Sequence, residues 1–356
     1  MQGLFFDCRY IRIEHHDGIS RFSAGLFSAL SKLTEVTAIV SDLRQLEKLP
    51  NGTKFVKVSA PTSFLEPLVA LQINKVGAKV VFSPMQTIGS LGRKFKLVLT
   101  VHDLIYYRHP APPPGFSMPI RALWRLYHLV FWPQRLLLNR ADAVATVSET
   151  TRELITQNRL TKRPVRVIHN AADDIQQVAA ATHRPAGNQS LVYMGSFMDY
   201  KNVEVLIQGM AFLPGYELNL LSRVSNDRKR QLESLVPQGA KVIFHNGVSE
   251  SDYHKLLSDS VALVSGSQDE GFGIPLVEAM GRGIPVVISE IAIFREIAGS
   301  AGIYFDQNNP ASFADAVKSI GENAIWLKNS KAAQEQAAKF SWSRSAEKLL
   351  ETLKQI

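Results

Sequence analysis

Two carboxylates, Glu270 and Glu278, flank a short glycine-containing turn in the run Ser267-Gln268-Asp269-Glu270-Gly271-Phe272-Gly273-Ile274-Pro275-Leu276-Val277-Glu278. Gly271 and Gly273 let a backbone approach a ligand without a Cβ clash. Pro275 suits the first position of a helix, where its missing N–H would be unpaired anyway. The amides of Leu276 and Val277 then point from the helix end toward an anion, reinforced by the helix dipole. Glu278, in the first turn, reaches a ribose diol, and Glu270, ahead of the turn, meets a second set of hydroxyls. These residue types describe a pocket that holds phosphate on backbone amides and a polyhydroxylated group on acids. The Glu-x7-Glu spacing alone is common, and a lone acid at a helix start ordinarily just complements the dipole. The specific signal is the whole string, set between an apolar strand and Gly283-Ile284-Pro285-Val286-Val287.

A second group of polar residues lies near the amino terminus, in His15-His16-Asp17-Gly18-Ile19-Ser20-Arg21. Arg21 faces an anion from a first helical turn. Asp17 reads equally as a contact to acceptor hydroxyls or as a turn or cap residue. His15 and His16 have too few acids or thiols nearby for a metal site. Cys8 is the only cysteine, so there is no disulfide framework and no thiolate metal site; it is expected to be a buried thiol in a reducing cytosol. Asp-x-Asp clusters between the two predicted sheets are absent, and no metal is expected.

These residues must be positioned by strands and helices. Apolar runs predict strands at Gly3–Phe6, Val36–Val40, Phe55–Val58, Lys79–Phe82, Leu97–Val101, Val144–Val147 and Val165–Ile168, and then at Ser190–Met194, Glu217–Leu221, Lys241–Phe244, Val261–Ser265, Pro285–Ile288 and Gly302–Phe305. Most are continuous Val/Ile/Leu runs, the pattern of strands buried on both faces. Amphipathic helical stretches separate them, which predicts parallel sheets in two Rossmann-like domains of an α/β protein. The expected boundaries are 1–172 for an acceptor-binding domain, 173–340 for a nucleotide-sugar domain and 341–356 for a terminal helix, with the junction between Asn170 and Gln189.

The composition is that of a water-soluble globular protein of 356 residues, 46% hydrophobic and 20% charged. No apolar stretch is long enough for a spanning helix, and the amino terminus reads as a first strand rather than a signal peptide. Residues 1–172 carry 23 Lys/Arg against 11 Asp/Glu, a balance of +12, whereas residues 173–356 carry 17 against 21, a balance of −4. The basic half implies an anionic partner or a solvated basic face. The stretch Met118 to Arg140 interleaves Arg121, Arg125, His128 and Arg135 with Trp124, Tyr127, Phe131 and Trp132, and Pro133 kinks or splits it. Basic and aromatic residues on one helix suit an anionic membrane interface; an ordinary packed helix with a basic face is the competing reading. Pro110-Ala111-Pro112-Pro113-Pro114 reads as an extended loop.

The string Glu270 to Met280 resembles the donor motif of retaining glycosyltransferases of the GT-B fold, in the large group 1 family GT4. The resemblance covers essentially the full length and is densest from Leu191 to Phe305. Tyr193-Met194-Gly195-Ser196 with Lys201-Asn202 is similar to the first strand and phosphate-binding lysine of the family's second domain. Phe244-His245-Asn246-Gly247-Val248-Ser249 resembles the turn whose backbone meets the base. Gly18-Ile19 resembles the loop that closes over the diphosphate, with Asp17 in place of a glycine. Val167-Ile168-His169-Asn170 resembles the interdomain junction, and Phe340-Ser341-Trp342 opens what resembles the helix that crosses back to the first domain. The resemblance implies Glu270 on the donor sugar, His102 of Thr100-Val101-His102-Asp103 near the transferred sugar, and Lys201 on the diphosphate as catalytic residues. It implies Gly18, Ile19, Arg21, Ser196, Arg223, Val248, Gly271, Phe272, Gly273, Ile274, Pro275, Leu276 and Glu278 as binding residues. Many members carry arginines where Ser196 and Tyr200 stand, so the diphosphate would rest on Lys201 with help from Arg223 or from Arg21 across the cleft.

The implied activity is transfer of a hexose, favoured as mannose from GDP-mannose, to a glycan or lipid-linked acceptor in cell-envelope polysaccharide assembly. It would take place without a metal, in the cytoplasm or on the inner face of the plasma membrane, with no nucleic-acid partner. The alternatives are a transferase using a UDP-glucose-type donor, a sugar-nucleotide epimerase of the same fold, and a degenerate nucleotide-binding protein.

Overall fold

The computed structural model describes residues 2–14, 17–112, 117–172, 184–185 and 189–356. The chain divides into two compact units, one comprising residues 1–171 with 341–356 and the other residues 172–340. His15, His16, Pro113, Pro114 and most of the expected junction lie outside the described residues.

The first unit is built on seven strands: β1 (Leu4–Asp7), β2 (Thr37–Val40), β3 (Phe55–Lys57), β4 (Val80–Ser83), β5 (Lys96–Val101), β6 (Ala143–Thr146) and β7 (Val165–Val167). They are ordered β3-β2-β1-β4-β5-β6-β7, and every ladder is parallel. The second unit has β8 (Ser190–Tyr193), β9 (Glu217–Leu220), β10 (Lys241–Phe244), β11 (Ala262–Ser265), β12 (Val286–Ser289) and β13 (Gly302–Phe305). Its order is β10-β9-β8-β11-β12-β13, again all parallel. All thirteen strands fall within one residue of the bounds predicted by the apolar runs. β1, β6, β8, β11 and β12 are buried along their whole length, as strands covered on both faces must be. This is the two-sheet α/β architecture of the GT-B fold.

Both sheets are wound outward in two directions from a central pair of strands. In the first the winding reverses between β1 and β4, and in the second between β8 and β11. At such a reversal the connections after the two central strands leave on opposite faces and open a crevice at the carboxyl edge.

The terminal helix, Trp342–Lys354, packs in the first unit against the helix Gly18–Leu33. The contact requires a glycine: a Cβ at Gly25 would lie 2.3 Å from Trp342 Cε2. Phe22 meets the same indole with centroids 6.2 Å apart. Ser341 caps the helix by accepting from the Arg344 amide, and Ser345 Oγ donates to the His169 carbonyl at 2.7 Å, tying the helix to the residues after β7.

The stretch 118–140 is split, as Pro133 requires, into helices Met118–His128 and Trp132–Asn139, with Pro133 in the first turn of the second. Its faces differ from those expected. Trp124, Tyr127 and Phe131 turn inward, Trp124 against Tyr106 (5.0 Å) and Phe131 against Tyr107 (4.3 Å), with His128 buried among them. Leu123, Leu126, Leu129 and Leu136 are left facing outward, while Leu138 enters the core.

Replacing Gly25 by alanine forces the Trp342 ring to move. The expected result is a loss of about 1–3 kcal/mol in urea unfolding, and a much smaller added loss when the same change is made in a Trp342→Ala background. Unchanged stability would show that this helix pair is not packed as described.

Candidate active site

The second unit's crevice is built by two connections. After β8, Gly195 and Ser196 turn the chain, a short 3-10 turn spans Asp199–Lys201, and the helix Val203–Gly209 follows. After β11, residues Gly266 to Gly273 lead into the helix Ile274–Gly281. Side chains and backbone join the two connections. Asn202, held at φ 47°, donates from Nδ2 to the Gly266 carbonyl at 3.2 Å and to the Gln307 carbonyl at 2.8 Å. The Gln268 amide donates to the Tyr200 carbonyl at 2.7 Å. A Cβ on Gly266 would sit 2.7 Å from the Asn202 carbonyl oxygen, so this approach admits only glycine.

These bonds bring Lys201 and Glu270 together. Lys201 Nζ pairs with Glu270 Oε1, with side chains 12% and 17% exposed. Ser267 Oγ donates to the same carboxylate oxygen at 3.3 Å. The pair lies between the two usual regimes, exposed pairs worth about 0–1 kcal/mol and fully buried ones that cost ~3–5 kcal/mol when one partner is lost. A cation and an acid 69 positions apart in sequence thus meet at the switch point.

The Ile274–Gly281 helix differs from expectation at its start. Gly273 is its N-cap, at φ 94° and ψ 56°, a conformation open to glycine at little cost. The helix begins at Ile274, so Pro275 is its second residue rather than its first, and Glu278 falls in the second turn rather than the first. The Leu276 amide bonds back to the Gly273 carbonyl at 3.0 Å and so is not aimed at a ligand as expected. The amides free of intrahelical acceptors by geometry are those of Gly273 and Ile274. Phe272 is buried and meets Phe340 edge-on at 5.5 Å, which anchors the turn from below.

Glu278 is 4% exposed, and its Oε2 accepts from Tyr253 Oη at 2.7 Å. Tyr253 was not singled out from sequence. Helical spacing places it with Leu257 on the inward face of Glu250–Ser258, but no local signal announces a hydroxyl aimed at an acid twenty-five residues on.

Other expected residues sit around this centre at greater remove. Ser196 is exposed, and its carbonyl accepts from Tyr193 Oη at 2.6 Å; burial and the nearby Glu270 charge push the Tyr193 phenol well up, so it stays protonated. Arg223, after β9, lies over Gly247 of the β10 turn, where a Cβ would meet Arg223 Cγ at 2.9 Å. It therefore packs toward the sheet's edge rather than over the β8–β11 crevice. Sequence reasoning overlooked Arg228, which spans the β8 connection. Its Nε donates to the Phe197 carbonyl at 3.0 Å and its Nη2 pairs with Glu204 at 2.5 Å. Val248 follows a tight turn at Asn246 and Gly247 (φ 55° and 102°) and lines a cavity of about 490 Å³ with His245, Asp252, Lys255 and Asp259. That cavity contains no residue from the connections after β8 and β11.

In the first unit, Gly18 and Ile19 form the first turn of Gly18–Leu33 instead of a loop ahead of it, with Arg21 one turn in. Asp17 is the cap: its Oδ1 accepts from the Ser20 amide at 2.8 Å and its Oδ2 pairs with Arg12 at 2.6 Å. Of its two possible roles, the structure shows capping. His102 follows β5. Its Nε2 lies 2.7 Å from the Pro84 carbonyl, which only accepts, so Nε2 carries the proton and Nδ1 presents a lone pair. Burial lowers its pKa, against the opposing pull of the Pro84 carbonyl, so at neutral pH the ring is uncharged and its one N–H is already used. A buried ion network not singled out from sequence supports this edge: Arg9 forks onto Asp7 (2.8 and 3.0 Å) and Glu66 (2.6 and 3.0 Å), tying the connection after β1 to that after β3.

Among the described residues, no group of three or more His, Cys, Asp or Glu side chains is placed to hold a metal ion.

A pair of doubly wound parallel sheets, with a cation–acid pair and a glycine-capped helix at the switch point of the second, places the chain in the GT-B fold class. The comparisons specify it further. The profile described as "Glycosyl transferases group 1" matches residues 174–340, and that described as "Glycosyltransferase Family 4" matches residues 18–175. The chain is a glycosyltransferase of this group. It is 27% identical over 330 residues to the O-antigen chain mannosyltransferase RfbU of Salmonella typhimurium, spanning 85% of this chain and 87% of that one. Its fold is similar to sucrose-phosphate synthase from Thermosynechococcus elongatus (TM-score 0.74, 16% identity, 99% of this chain and 98% of that one). It is also similar to Anabaena HepE, solved in complex with UDP-glucose (TM-score 0.72, 16% identity, 99% of each chain).

Because Lys201 and Glu270 touch, any contributions they make to ligand binding should be coupled. Lys201→Ala and Glu270→Gln should each weaken binding of a nucleotide-diphosphate sugar by roughly tenfold or more, and the double variant by clearly less than the product. Titration calorimetry on all four proteins measures this. Strict additivity would mean that the contact between the two side chains plays no part in binding.

Proposed function

We propose that the protein is a retaining mannosyltransferase that uses GDP-mannose to extend a glycan or lipid-linked acceptor in cell-envelope polysaccharide assembly. The observation that carries donor binding is the Lys201–Glu270 pair at the β8–β11 switch point, beside the Gly273-capped helix. Lys201 would neutralise the diphosphate, and Glu270 would accept hydrogen bonds from sugar hydroxyls. The Gly273 and Ile274 amides would add donors toward the phosphate oxygens. In the first unit, Arg21 and the neutral His102 would serve the acceptor side. Mannose is favoured by the similarity to the Salmonella mannosyltransferase.

Retention would follow from reaction on one face of the sugar. The bond from the anomeric carbon to the diphosphate oxygen breaks and the acceptor oxygen bonds to that carbon. The acceptor proton passes to a departing diphosphate oxygen. No side chain needs to act as a nucleophile, so the protein contributes positioning and charge stabilisation. Lys201 and the helix end would do the work of a divalent cation, which makes the reaction metal-independent in this reading. The HepE complex supports a second reading, with a UDP-glucose-type donor on the same residues.

Slow donor hydrolysis by the purified protein distinguishes these readings. With GDP-mannose, UDP-glucose and a dTDP-sugar offered in parallel, GDP and α-mannose should accumulate fastest with the first, at a rate unchanged by EDTA. Turnover of UDP-glucose alone would move the donor to the second reading. Interconversion of the sugar nucleotide without release of free sugar would make the protein an epimerase.

A further inference from the structure

The carboxylate of Glu278 is held by a neighbouring helix, and the chain fixes that helix at its start. Glu250–Ser258 begins just after the β10 turn in which Asn246 and Gly247 take φ 55° and 102°. Asn246 Oδ1 accepts from the Val224 amide at 3.1 Å, which ties the turn to the connection after β9. Ser249 caps the helix by accepting from the Asp252 amide at 3.1 Å, and the Tyr253 amide donates to the Ser249 carbonyl at 2.9 Å. Tyr253 is therefore placed by the first turn of its helix. Its ring is 2% exposed, and the packing around it aims the hydroxyl at Glu278 Oε2, 2.7 Å away.

A second contact joins the same two helices. Arg282, itself buried, donates from Nη1 to the Glu278 carbonyl at 3.1 Å and from Nη2 to His254 Nδ1. Tyr253 and His254 are consecutive on one helix, and Glu278 and Arg282 lie four positions apart at the end of the other. Arg282 thus holds the backbone of Glu278, and Tyr253 holds its carboxylate. A carboxylate this buried stays in place only where hydrogen-bond donors meet it. Helical side chains lean toward the helix N-terminus, so the Glu278 carboxylate is directed to the side of the Gly273 and Ile274 amides.

We propose that Tyr253 is a positioning residue for nucleotide binding: its hydroxyl fixes the carboxylate of Glu278 that receives the ribose hydroxyls. The inference rests on the reading that a nucleoside diphosphate occupies the β8–β11 switch point. It holds for a guanine or a uracil base alike, because the ribose is common to both. A carboxylate free to turn has to be ordered when the ligand arrives, which weakens binding. Tyr253 orders it during folding. The hydroxyl also occupies one acceptor position of Oε2, which restricts the directions from which the ribose can donate. A nucleotide without ribose hydroxyls gains nothing from this arrangement, so Tyr253 should govern ribose preference rather than overall affinity.

Titration calorimetry of the full-length protein with GDP, UDP and their dideoxy-ribose counterparts tests it. The readout is the Kd of the dideoxy nucleotide divided by that of the ribonucleotide. This ratio should be roughly tenfold or more, as expected for a hydrogen bond to a charged group. Tyr253→Phe keeps the buried ring and removes only the hydroxyl. It should lower the ratio by about threefold or more and leave the Kd of the dideoxy nucleotide unchanged. Glu278→Gln should also lower the ratio, and Tyr253→Phe should add nothing in that background, because the hydroxyl acts only through the acid. Equal weakening of both nucleotides by Tyr253→Phe, or a ratio that either single variant leaves unchanged, would overturn the proposal while leaving the donor site in place. Nucleotide binding that Lys201→Ala does not weaken, or no nucleotide binding at all, would overturn the donor site itself.

Discussion

A parallel sheet wound in two directions from its centre cannot close the gap between its two central connections, and this constraint organises the second unit. β8 and β11 are adjacent in space but separated by β9 and β10 in the chain. Their connections must leave on opposite faces, and whatever they carry at their first residues is brought edge to edge. Here they carry Lys201 and Glu270. The positions of the two groups are over-determined by Asn202, by the Gln268–Tyr200 backbone bond and by a glycine that permits close approach at 266. An ion pair held this firmly is preorganised, and preorganised charge is what a reaction with a departing diphosphate needs.

The strands were legible because each central one is buried on both faces, and burial writes itself as an unbroken apolar run. That the sheets are parallel followed from the alternation of strands with helices, whereas their strand order did not. The turn that carries Glu270 and Glu278 was legible too, because its glycines and proline mark where the chain leaves the strand and enters the helix. Details set by a single torsion were not. Whether the helix starts at Ile274 or Pro275 depends on Gly273 adopting φ 94°, and that choice moved Glu278 from the first turn to the second.

Long-range polar contacts were the least legible. Tyr253 meets Glu278, and Arg9 meets Glu66, across 25 and 57 residues with no pattern linking them. The helical stretch at 118–140 shows a different limit. Its first helix carries an aliphatic and an aromatic set of residues, and periodicity could not decide which of the two is packed. The decision falls to shape: Tyr106 and Tyr107 supply ring faces that take Trp124, His128 and Phe131 edge-on or tilted, and the aliphatic side chains of the first helix are left outside.

The central claim is that sugar nucleotide binds where the β8 and β11 connections meet. Amide hydrogen exchange of the full-length protein with and without GDP and GDP-mannose tests it most directly. The expected result is protection concentrated in residues 194–202 and 266–277 of the second unit, and reduced when Lys201 is alanine. Protection elsewhere that leaves those two segments unchanged would contradict it.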